Sequence, residues 1–351
     1  MNGSVESRMA NMAVVCACIV ALSHVGYNTA AGSAAWWFVR LTRYGLCCLA
    51  VPFFFAVSGY FLSRHFDERG WWLRETGKRV TSLLLPYLLW CIAFFAFWRI
   101  GAAAVKAGSA GEFLQALRLP ASKLAIAFGL RMDVTPCLVP VWYIRALIVI
   151  VLVSPFLALM SSFRYGAALS AAVFFCAYVA FSPHRNGLAS TRLEHFLYYG
   201  VSLMGMAYFQ LGILLRRTGF LERTLRVPAW FGAGLFALGV AALVLRTRII
   251  AATGSEPFPV LCLAIPLLVS GLWLLLPAAE WPRKLTSMSF PIYVMHYFVV
   301  FALDGFRRPR ADKSICLMLA QAALAVAIPC AIAFVARRML PRAASTLFGG
   351  R

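Results

Sequence analysis

The chain reads as an all-α, polytopic bundle of about ten membrane-crossing helices, and three features carry that reading. Apolar side chains make up 62% of the 351 residues and charged ones only 13%, with a mean hydropathy of +0.81. A soluble globule cannot keep that much apolar surface from water. The apolar residues fall into runs of about twenty, the length that crosses roughly 30 Å of hydrocarbon at 1.5 Å per residue. No ten-residue alternation of apolar and polar residues appears, so backbone groups in lipid must be satisfied within helices and not in a barrel.

The runs place spans near 9–27, 43–63, 80–100, 141–160, 165–182, 196–215, 228–246, 258–277, 286–303 and 314–335. The first ends in "IVALSHVGY" and carries His24. Arg8, its apolar run and the small residues "TAAGSAA" share features with a cleavable leader, but a run reaching Tyr27 is long enough to span and is expected to be retained. The second, "VPFFFAVSGYFLSRH", places the small polar pair Ser58-Gly59 inside an otherwise bulky segment, which a plain lipid anchor does not need. Lys78 and Arg79 precede the third. The loop 101–140 that follows holds the amphipathic stretch "GEFLQALRLPASKLAIAFGL", expected to lie on an interface. The fourth span contains Arg145 and the ninth His296. Prolines at 52, 86, 155, 266, 291 and 329 predict kinks. With no soluble segment and no internal repeat, residues 1–351 form one transmembrane domain.

Lys and Arg exceed Asp and Glu by 21, but they cluster in short stretches between apolar runs, such as "RRTGFLERTLR" and "FRRPRADK". That pattern fits loops meeting lipid headgroups and argues against a nucleic-acid partner. With the N terminus inside, 17 basic residues fall on the inner side and 15 on the outer, or 17 against 10 with the long third loop set aside, which favours both termini in the cytoplasm. The ten cysteines lie mostly within apolar runs with no CxxC pair, so neither a metal site nor a redox centre is expected.

Ionisable side chains inside spans are costly and usually face a bundle interior or a wet cavity, which singles out His24, Arg145 and His296. Each has a plainer reading: a histidine can hydrogen-bond a nearby carbonyl, and Arg145 can reach toward the interface. Imidazole suits proton removal from a hydroxyl near neutral pH, and guanidinium suits a phosphate or a developing oxyanion. Together they point to group transfer. No carboxylate lies deep in a span, since Asp304 ends the ninth and Glu194 precedes the sixth, which argues against a proton-coupled transporter.

"VVCACIVALSH", "VPFFFAVSGYFL", "KRVTSLLLPYLLW", "VWYIRALIVIVLVSPFL" and "SFPIYVMHYF", in that order and spacing, resemble the membrane acyltransferase 3 family over nearly the whole chain. The resemblance implies a bacterial inner-membrane O-acyltransferase. Such an enzyme takes an acyl group, usually acetyl, from acyl-CoA as donor substrate and passes it to a hydroxyl of a glycan, lipid-linked sugar or small molecule. No permanently bound cofactor is implied. His24 matches the family's catalytic histidine and Ser58-Gly59 its Ser-Gly pair, where helices, a thin substrate or both approach closely. Lys78 and Arg79 match basic residues expected to meet CoA, or else to anchor topology, and Trp142, Tyr143 and Arg145 match an aromatic motif near the site.

One departure stands out. Many members carry an arginine eleven positions before the histidine, where this chain has Ala13, so either Arg8 or another base such as Arg79 is expected to take that role, or the donor site differs. The chain also shows no added hydrolase-like domain, so the transfer is expected to be completed here or handed to a partner. The expected mechanism has His24 as general base or transient acyl carrier, Arg145 and His296 at the thioester oxyanion, and Tyr293 as a further donor. A flippase or transporter for a lipid-linked glycan, and a non-catalytic subunit of a polysaccharide assembly machine, are the readings from other classes.

Overall fold

The structure is a computed structural model that describes residues 4–26, 29–106, 128–182, 191–304 and 314–348, with positions 109, 111 and 125. Among the described residues there are helices and no strands. Most of the amphipathic stretch of the third loop lies outside the described residues.

Helix α1 (Val5–Ser23) starts at Ser4, whose side chain accepts from the Ser7 amide. A short helix α2 (Ala34–Thr42) and a tight turn lead into α3 (Ala50–Leu62), and α4 (Trp71–Arg79) runs through a wider turn at Val80–Leu84 into α5 (Leu85–Lys106). Beyond the long loop come α6 (Trp142–Ser161), α7 (Gly166–Phe181), α8 (Leu203–Arg217), α9 (Ala229–Thr253), α10 (Phe258–Leu275), α11 (Ser289–Asp304) and α12 (Ile315–Met339). Eight helical segments are long and apolar enough to cross a membrane, and the apolar helices α7 and α11 are shorter. Together they account for all ten expected spans. The third begins earlier than expected: Trp71–Ala103 is one continuous helical segment, so Lys78 and Arg79 sit on a helix and not in a loop.

The turn at Val80–Leu84 has a covalent cause. Pro86 has no N–H to give the Ser82 carbonyl, and the Leu85 amide reaches back five residues to Val80, widening the helix into a π turn. In α6, Pro155 leaves the Val151 carbonyl without its helical donor; the Ser154 hydroxyl (2.6 Å) and the Trp72 indole (3.3 Å) supply replacements. Pro52 and Pro291 lie instead in the first turn of α3 and α11, where a missing N–H breaks nothing, so the expected interruption does not arise there.

The pairs α3–α8 and α9–α10 cross closely, and α1 packs against α11, α12 and α3 in the middle of the bundle. At the first crossing a Cβ on Gly59 would stand 2.8 Å from the Phe209 carbonyl carbon and overlap its oxygen, while one on Gly212 would stand 2.8 Å from the Ala56 carbonyl carbon. Each helix thus offers a glycine to the other's backbone. The question raised by Ser58-Gly59 resolves for Gly59 as a helix contact and not a substrate notch.

Candidate active site

A cavity of about 260 Å³ opens among α1, α3, α6 and α11, with Ser58, Arg79, Tyr143 and Tyr293 on its wall beside Ala13. Segments far apart in sequence meet here, with α1 packed against both α3 and α11 and carrying a small residue at position 13. The Ser58 hydroxyl bonds the Phe54 carbonyl at 2.8 Å and lies 3.5 Å from the Tyr143 hydroxyl. The Tyr143 and Tyr293 rings are 6.0 Å apart, nearly perpendicular, and the Tyr293 hydroxyl donates to the Pro140 carbonyl. Tyr293 is therefore a wall already tied to the start of α6.

Past Tyr293 stands a histidine pair. His24 caps the C-terminal end of α1, and its ring centroid lies 5.1 Å from that of His296 and 5.2 Å from that of Tyr297. His296 is fully buried, with Nδ1 2.9 Å from the Ile292 carbonyl. A carbonyl only accepts, so Nδ1 is assigned the proton and Nε2 keeps its lone pair. That Nε2 has no hydrogen-bond partner among the described residues. A buried imidazole with a bare nitrogen beside a second imidazole is suited to take up and pass on a proton. The Tyr293 ring, 6.5 Å from His296, links this pair to the cavity.

At the opposite end of α1 the mouth is basic. Glu75, almost fully buried on α4, is held by Lys78 at 2.6 Å and by Arg79 and His65 at 3.8 Å. Arg79 reaches the cavity wall with its side chain about one-third exposed, whereas Lys78 does not line the cavity and is mostly exposed. In the loop before α4, Glu68 bonds His65 at 2.7 Å and pairs with Arg74; the His65 hydrogen bond holds its carboxyl below the usual range.

Three expected site residues serve elsewhere. Arg145 is buried, and its Nη1 donates to the Gly129 (3.0 Å) and Arg131 (2.7 Å) carbonyls, its Nη2 to those of Val134 (2.8 Å) and Tyr199 (3.3 Å). With four carbonyls on its terminal nitrogens it clamps the end of the long loop onto α6, which corrects the expectation of an oxyanion donor. Trp142 does not line this cavity and stacks on Tyr198 at 5.5 Å. Gly59 belongs to the helix crossing. Arg8 does not replace the arginine missing at Ala13: its guanidinium lies 5.2 Å over the Trp273 ring, on another face of α1. Arg79 is the basic residue that shares a cavity with Ala13. Glu75 escaped sequence reasoning, and the only signal for it was an acid three and four residues before Lys78 and Arg79 on one helix.

The chain matches the acyltransferase 3 family, described as an acyltransferase domain, over residues 12–336. It is similar to the succinoglycan biosynthesis protein ExoH of Rhizobium meliloti (strain 1021), 29% identical over 180 residues, a stretch covering 47% of this chain and 45% of that relative. The match thus spans less than half the length of that relative. No solved structure matches. With a family match over most of its length and ten apolar helices in the bundle, the chain belongs to the acyltransferase 3 family of multi-pass membrane acyltransferases.

Proposed function

We propose that the protein transfers an acyl group, most simply acetyl, from acyl-CoA to a hydroxyl of an envelope polysaccharide or its lipid-linked precursor, in a bacterial inner membrane with both termini cytoplasmic. The observation that carries this reading is the paired rings of His24 and His296 beyond a cavity whose mouth bears Arg79. Arg79 suits the CoA phosphates, and the narrow cavity lined by Ser58, Tyr143 and Tyr293 suits the thin pantetheine arm with the thioester leading. One histidine removes the proton from the acceptor hydroxyl as its oxygen attacks the thioester carbonyl. The C–S bond then breaks, and the CoA thiolate leaves with a proton returned through the pair. The polysaccharide acceptor rests on the similarity to a protein named for succinoglycan biosynthesis.

The test is purified protein in liposomes with acetyl-labelled CoA and a panel of glycan acceptors, wild type beside His24→Ala. Label transfer or CoA release that disappears with His24 supports the proposal. Equal rates in both proteins, or no CoA turnover in either, would overturn it.

A further inference from the structure

A second, larger cavity of about 440 Å³ opens on the other side of α3 from the first, bounded by α1, α3, α8, α9 and α10. Its wall is formed by apolar side chains such as Met12, Leu211, Leu235 and Val269. Several of its polar groups are spent locally. The Tyr60 hydroxyl donates to Glu222 at 3.0 Å, and the Trp273 indole donates to the Thr224 hydroxyl at 2.8 Å. Among the described residues no histidine or carboxylate lines the space, which sets it apart from the histidine pair.

Two arginines lie against residues of its wall, Arg8 against Trp273 and Thr224 and Arg216 against Tyr60. Arg8 is only 5% exposed, lies over the Trp273 ring, and has a single long bond of 3.5 Å from Nη1 to the Thr224 carbonyl. Its Nε has no hydrogen-bond partner, and no carboxylate pairs with it among the described residues. Arg216 lies 5.3 Å over the Tyr60 ring and likewise has no ion pair among the described residues. Of the nearby acids, Glu6 is engaged by Arg64 at 2.5 Å and Glu222 by Tyr60. A buried guanidinium without an acid is costly unless an anion joins it, and a phosphate offers the matching acceptors. The size is compatible with an apolar guest: about 440 Å³ lies within the several-hundred-Å³ range of small-molecule sites.

We propose that this cavity is a binding site for one anionic phospholipid, with an acyl chain in the apolar space and the phosphate at Arg8 and Arg216. The lipid comes from the leaflet at the α1 N-terminal end, where basic side chains between helices meet headgroups. The site is independent of the acyl-transfer reading, because it shares neither Arg79 nor the histidines.

The full chain, extracted in mild detergent with equal phosphatidylglycerol and phosphatidylcholine of matched chains, would be weighed by native mass spectrometry. Wild type is expected to retain one phosphatidylglycerol about tenfold over phosphatidylcholine, as a charge-assisted phosphate contact warrants. Arg8→Gln and, separately, Arg216→Gln are expected to reduce that preference, and Leu235→Trp, which fills the space, to reduce retention of both lipids. Equal retention of the two lipids by wild type would overturn the proposal. So would a preference unchanged in the folded Arg216→Gln protein and in Arg8→Gln, or full retention in Leu235→Trp.

Discussion

Adding one methyl group at the α3–α8 crossing is expected to cost more stability than removing the Ser58 hydroxyl from the first cavity. In Gly59→Ala the new Cβ would stand 2.8 Å from the Phe209 carbonyl carbon and 3.1 Å from its Cα, against an ordinary contact of 3.4–4 Å, and would overlap the carbonyl oxygen outright. These are backbone atoms of a helix, so no rotamer change relieves them and, with the oxygen the nearest atom, the two helices must part by about 1 Å or more. Overpacking of this kind typically costs 1–3 kcal/mol, and the rigid neighbour puts Gly59→Ala at about 3 kcal/mol. Gly212→Ala meets the Ala56 carbonyl carbon at 2.8 Å from the other side and should cost the same. Once the helices have parted for one methyl the second fits more easily, so the double variant should fall short of the sum by roughly 0.5 kcal/mol or more. Ser58→Ala removes a hydroxyl that bonds its own helix and should cost about 1 kcal/mol at most. The assay is thermal unfolding in detergent followed by the loss of monodisperse protein. Gly59→Ala melting like wild type, or strictly additive losses in the double variant, would refute the close crossing.

Arg79→Gln should raise the KM for acetyl-CoA by about tenfold or more, the worth of one charge-assisted phosphate contact, while Lys78→Gln, exposed and off the cavity, should change it less than about twofold. Glu75→Gln should shift the same KM through the loosened Arg79 with little change in kcat, which steady-state kinetics separates. Arg145→Met should lower the melting temperature more than any histidine variant, since four carbonyls lose their donor; a kcat loss at unchanged stability would contradict the clamp. Glu68 has a depressed carboxyl, so its contribution is present above the usual carboxylate range and is lost as pH falls through the lowered value. The difference in melting between wild type and Glu68→Gln should therefore exist at neutral pH and vanish in acid.

The ten spans were legible because each needs only a long apolar run, and the prolines at 86 and 155 announced real interruptions. What periodicity could not give was direction across the bundle. His24 and His296 are 272 positions apart, and nothing local reveals that their rings meet. The same blindness misassigned Arg145, whose partners are carbonyls of a loop 11 to 16 residues away and of Tyr199, and a backbone carbonyl leaves no mark in a sequence. Gly59 was singled out correctly as a close approach, but which of the two candidates approached was decided only by Phe209 across the crossing. Glu75 was hidden because acids near basic residues usually signal an exposed helix face, and here the carboxylate is buried beneath its own partners.

The central claim is that acyl groups enter at Arg79 and leave through the histidine pair. Sided proteoliposomes test it most directly: acetyl-labelled CoA is supplied only on the face bearing Arg79, and a polysaccharide acceptor only on the other. The account predicts label on the acceptor with CoA retained on its own side, and loss of at least about 100-fold of that rate in His24→Ala and in His296→Ala protein that remains folded. Labelling that requires donor and acceptor on the same side, or that survives in either histidine variant, would contradict it.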